Sequence, residues 1–126
     1  MERHVDLLGI LAALWGALAM LVGVSMLLLA AGALAELLAP VANRVDFAAS
    51  VTAAVFLLVG VFALIWGGAH VWAAVLLRRR RAFGRVLSLG LAIVNLLVLP
   101  FGTALGAYAL WVLLRDDGRR LFEPAR

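Results

Sequence analysis

The chain has 126 residues, of which 67% are hydrophobic and 14% charged, against about 45–50% and about 25% in an average soluble protein. A soluble domain of this size buries only about two-thirds of the surface that its unfolded chain exposes, so the composition excludes a water-soluble globule and makes lipid the expected solvent of a single domain. The net charge of +4 is carried by arginines that flank apolar runs, the pattern of membrane topology signals and not of nucleic-acid binding, and the absence of cysteine excludes disulfides and thiolate metal sites.

In chain order, Met1-Glu2-Arg3-His4 leads into an uncharged run from Leu7 to Ala35. That run is about twice the usual 7–15-residue core of a signal peptide, so it reads as a retained span. At 1.5 Å per residue it reaches about 43 Å, more than a hydrocarbon core of about 30 Å requires, and the helix should tilt or project. Glu36 marks its outer end. Pro40, Asn43, Arg44 and Asp46 then suggest a short loop, with Asp46 or Ser50 placed to cap the next helix.

The second uncharged run, Phe47 to Leu77, stops at Arg78-Arg79-Arg80-Arg81-Ala82-Phe83-Gly84-Arg85, the densest block of charge. Cytoplasmic loops collect arginine, so residues 78–85 are expected to form a loop on that face, with Arg78, Arg79, Arg80, Arg81 and Arg85 available to anionic lipid headgroups. The third run, Val86 to Leu114, is interrupted by Leu99-Pro100-Phe101-Gly102. Proline removes a helical donor and glycine frees the backbone, so the run is either one kinked helix or two short spans. Charge favours the hairpin, because only then do Arg85 and the tail Arg115-Asp116-Asp117-Gly118-Arg119-Arg120 share one side. Val75-Leu76-Leu77-Arg78 recurs as Val112-Leu113-Leu114-Arg115, consistent with two spans that end at the same face.

The expected fold is therefore all-α, an integral membrane four-helix bundle. Two long helices precede a short hairpin with a Pro/Gly turn. The spans fall at about residues 7–38, 47–77, 83–99 and 101–115, and the tail 116–126 and both termini are cytoplasmic. Leu121 and Phe122 are expected to dip into lipid from a surface tail.

Small residues recur every seventh position: Gly9, Gly16, Gly23 and Ala30 in the first span, Ala53, Gly60, Gly67 and Ala74 in the second. Seven residues is close to two turns, so each set lies on one stripe, and close backbone approach is the main source of helix packing in lipid. The stripes should face each other or a neighbouring subunit, and Gly102 and Gly106 add a GxxxG pair in the last span. Trp72 and Trp111, near the arginine ends, suit interfacial anchors.

Polar side chains at bilayer depth are where chemistry is sought first. His70, Asn95 and Tyr108 fall at similar depths, counted from Arg78, Arg85 and Arg115. They form either a polar cluster lining a solute or proton path or a set of interhelical hydrogen bonds, and the second reading is favoured. One deep histidine does not supply an axial pair for haem. No carboxylate pair, Ser/His/Asp set, phosphate loop or metal-ligand spacing is present, so no catalytic residue, metal or cofactor is expected.

The C-terminal third carries Pro100-Phe101-Gly102-Thr103-Ala104-Leu105-Gly106-Ala107-Tyr108 after an arginine-rich loop and Asn95, and before Trp111 and a charged tail. Over about residues 78–122 it resembles a group of small uncharacterised bacterial four-span membrane proteins with a Pro-x-Gly-Thr-Ala-Leu-Gly-x-Tyr signature. The resemblance implies a bacterial inner-membrane location and no particular activity. The expected role is non-enzymatic, as a structural or accessory membrane protein that self-associates through small-residue faces or meets another membrane protein. The alternative is an oligomeric channel or transporter for ions or a small solute.

Overall fold

The structure, a computed structural model, describes residues 1–39, 46–98 and 100–124. Every regular element among them is an α-helix: α1 (Glu2–Leu38), α2 (Asp46–Arg78), α3 (Ala82–Asn95), α4 (Phe101–Leu114) and α5 (Asp116–Arg120). Among the described residues, only α1 and α2 are long and apolar enough to cross a membrane. α3 and α4 have 14 residues each, about 21 Å at 1.5 Å per residue, short of the roughly 20 residues that a full crossing takes.

The helix ends correct the expected boundaries. α1 begins at Glu2 instead of residue 7, because a helix can run on into charged sequence where its end meets water, and Glu2 complements the dipole of the first turn. Ser50 does not cap α2 from outside; its hydroxyl donates to the Phe47 carbonyl within the helix, 2.8 Å away. The loop expected around Pro40, Asn43 and Arg44, and the capping of α2 by the Asp46 side chain, fall outside what is described.

The arginine block is not an eight-residue loop. α2 runs through Arg78 and α3 starts at Ala82, leaving a turn of three arginines. The Arg81 amide donates to the Leu76 carbonyl and the Arg80 amide to Leu77, both at 3.0 Å, while Arg80 takes φ 53°. This pairing is a Schellman close, in which the left-handed position is usually glycine. Arg80 fills it here.

α3 ends at Asn95, four residues before the expected limit. Beyond it the chain tightens into turns, with the Leu97 amide donating to the Val94 carbonyl at 3.0 Å and the Val98 amide to the Asn95 carbonyl at 2.9 Å. The Thr103 amide donates to the Val98 carbonyl at 2.9 Å, and its hydroxyl to the Leu96 carbonyl at 2.9 Å. Gly102 is not the flexible point of this turn, since no described glycine has positive φ. It is buried in the first turn of α4, where a Cβ would lie 2.6 Å from Val98 Cβ and 2.8 Å from the Asn95 carbonyl oxygen.

The chain divides into two compact units, one of residues 1–16 with 69–126 and one of residues 17–68. The first holds the apolar core, built from Val5, Leu8, Leu77, Val112, Leu113 and Phe122 with flanking side chains. Phe122 therefore does not enter lipid: it is buried in this core with Leu121 packed at its edge. The short α5 folds the tail back, because Gly118 is buried against the Val112 carbonyl with no room for a Cβ. Gly106 brings α4 onto α3, with its Cβ direction 2.5 Å from the Ala92 carbonyl oxygen.

In the unit of residues 17–68 the stripes of α1 and α2 meet. A Cβ on Gly23 would lie 2.9 Å from the Gly60 carbonyl oxygen, and one on Gly60 would lie 3.0 Å from the Gly23 carbonyl oxygen. Among its described residues the buried positions of this unit are Gly23, Ala30, Ala53, Gly60 and Gly67, while large side chains such as Leu28, Leu58, Phe62 and Ile65 point outward. Small residues inside and large ones outside is the arrangement expected where lipid, not water, is the surrounding solvent.

Candidate functional site

The polar residues at depth gather in the unit of residues 1–16 and 69–126. On α3, Gly84, Ser88, Ala92 and Asn95 are buried. Their spacing of four, four and three places them on one face. That face meets α2, where His70 is buried. Asn95 Nδ2 and His70 Nε2 lie 2.8 Å apart, a hydrogen bond donated by the amide when Nε2 carries its lone pair.

A small cavity of about 20 Å³ opens beside this pair. Ser88, Asn95 and His70 supply its polar atoms, and apolar side chains including Leu8, Leu77, Leu91 and Leu105 close it. Ser88 Oγ and Asn95 Oδ1 are buried with no hydrogen-bond partner among the described residues. Ser88 shares its helical face with Asn95, a spacing readable in the sequence, yet it does not belong to the expected cluster.

Tyr108 is placed elsewhere. Its hydroxyl is 3.0 Å from His4 Nδ1, and it does not line the cavity. His4, Tyr108 and Trp111 form an aromatic group in which His4 meets Trp111 edge-on at 5.4 Å and Tyr108 stacks on Trp111 at 6.1 Å. The Arg115 guanidinium lies 5.1 Å from the Trp111 ring centre. Trp111 is in contact with these side chains but remains exposed, as does Trp72 beside Phe83, with ring centres 6.1 Å apart. His4 shows no periodic or charge signal that would tie it to Tyr108, 104 residues away.

The arginines play different parts. Arg80 pairs with Asp6 at 3.0 Å, Arg85 Nε donates to the Leu113 carbonyl at 3.0 Å, and the Arg78 stem lies where a Cβ on Gly9 would be, 3.2 Å away. Arg79 and Arg81 are exposed. Of the expected packing glycines, Gly9, Gly16, Gly23, Gly60, Gly67, Gly102 and Gly106 are all buried. Gly32 and Gly68 instead face open space.

No group of three or more histidines and carboxylates suited to a metal occurs among the described residues. What this arrangement offers chemically is a small, largely apolar pocket into which His70, Ser88 and Asn95 bring polar groups, with the imidazole bonded to the Asn95 amide. Comparison of the chain with protein-family models, with curated proteins and with solved structures finds no match.

Proposed function

We propose that this is a non-enzymatic structural or accessory protein of a membrane, oriented with the arginine turn and both termini in the cytoplasm. α1 and α2 cross the bilayer, and the α3–α4 hairpin enters and leaves on the cytoplasmic side. Four helices then share the inner leaflet. The observation that carries the structural role is the His70–Asn95 pair, made within one chain at 2.8 Å and walled by aliphatic side chains. A transport path would instead present such groups along a continuous polar surface.

The outward apolar face of residues 17–68 supports self-association or docking on another membrane protein. Leu28, Leu58, Phe62 and Ile65 are exposed there, and Gly32 and Gly68 leave the backbone approachable. Close approach at small residues is a main way helices associate in lipid. The exposed Arg79 and Arg81 suit anionic headgroups.

The alternative, an oligomeric channel or transporter, draws on the unpartnered Ser88 and Asn95 oxygens. Reconstitution separates the two readings. Purified protein in proteoliposomes should pass ions and small solutes no faster than empty liposomes, while crosslinking in the same membranes captures dimers or larger forms. Flux well above background that is lost in Asn95→Leu would replace the structural reading with the transport one.

A further inference from the structure

We propose that the cavity between His70, Ser88 and Asn95 is a water-binding site that holds at most two molecules, anchored on Asn95 Oδ1 and Ser88 Oγ. Both oxygens belong to residues more than nine-tenths buried, with Asn95 2% and Ser88 7% exposed, and neither has a partner among the described residues. Both line the same space. An apolar cavity of this size would stay dry, but a carbonyl oxygen and a hydroxyl left without hydrogen bonds carry their full desolvation cost until something donates to them.

The size of the space selects the occupant. About 20 Å³ is open, and a water needs about 10–15 Å³ measured this way, so one molecule fits easily and two fit tightly. Larger solutes are excluded. Ser88 and Asn95 are two turns apart on α3, about 10 Å along its axis, so a single water does not bridge them. Two in file, each link about 2.8 Å, come close to the span. Asn95 Oδ1 can only accept, so the water there must donate to it; the Ser88 hydroxyl can donate or accept.

The Asn95 amide then has a role at each end: Nδ2 faces His70, and Oδ1 holds the water. Hydration would thus reach the one deep imidazole through the side chain that positions it. This site stands independently of the activity proposed above, because it rests on cavity size and two orphan oxygens alone.

The test uses the full chain, isotope-labelled in lipid nanodiscs, with water-to-protein cross-relaxation measured by NMR. Cross-peaks from water are expected at the Asn95 side-chain amide and at the Ser88 β-protons. Ser88→Ala, which removes one anchor and little volume, should weaken the water cross-peak that remains at the Asn95 side-chain amide and lower Tm by about 2–5 °C. Absence of water cross-peaks at Asn95 in the wild-type chain overturns the proposal. A rise in Tm for Ser88→Ala does so as well, since removing an unsatisfied hydroxyl from a dry cavity is stabilising.

Discussion

At the scale of single residues, two positions bear strain or isolation that a neighbour relieves. Asn95 satisfies His70 and, through its other end, faces the cavity. Arg80 sits in left-handed backbone at φ 53° and uses the resulting direction to reach Asp6 at 3.0 Å. The ion pair is partly exposed, with side chains 27% and 55% accessible, and such pairs contribute about 0–1 kcal/mol. The left-handed backbone costs a non-glycine residue roughly 1–2 kcal/mol. Arg80→Gly and Arg80→Ala both lose the pair, but only glycine relieves the backbone. We expect Arg80→Gly to be more stable than Arg80→Ala by about 1 kcal/mol in denaturant unfolding. Equal stabilities would mean that the turn tolerates either backbone without penalty.

Among the elements, the α3–α4 hairpin depends on contact at two glycines. Gly106 lies against the Ala92 carbonyl and Gly102 against Asn95 and Val98. A β-branched side chain at residue 106 would have to push α4 off α3, and overpacking of this kind costs about 1–3 kcal/mol or more. Gly106→Val is expected to lower Tm and to expose the α3 face that includes Asn95. Gly90→Val, at an exposed position with open space around it, is the matched control and should change Tm little. If both variants melt alike, the close approach at Gly106 carries no special weight.

For the molecule as a whole, sidedness is the deciding property. The chain has no cysteine, so single cysteines placed at Ala82 and Pro100 report on topology without background. With the cytoplasmic orientation, Ala82→Cys reacts with a membrane-impermeant maleimide only from the inside. Pro100→Cys, at the tip of helices about 21 Å long, should be protected from both sides. Labelling of Pro100→Cys from the outside would mean that the hairpin crosses fully by thinning the bilayer. Labelling of Ala82→Cys from the outside would invert the arrangement.

Much of the helical layout was legible from charge and proline. Long uncharged runs bounded by Asp6 and Glu36 and by Asp46 and Arg78 announce the two long helices, and Pro100 announces the break between α3 and α4, because both effects act locally on the backbone or on its transfer into lipid. The seven-residue spacing of Gly9, Gly16, Gly23, Gly60 and Gly67 likewise marks buried faces. What a spacing cannot state is the neighbour. Only the tertiary structure joined His70 to Asn95 while sending Tyr108 to His4, drew Phe122 into the core, and turned Arg80 back to Asp6. The reason is physical: periodicity records which side of a helix is covered, whereas partners are chosen by how several helices, distant in sequence, fill one common space.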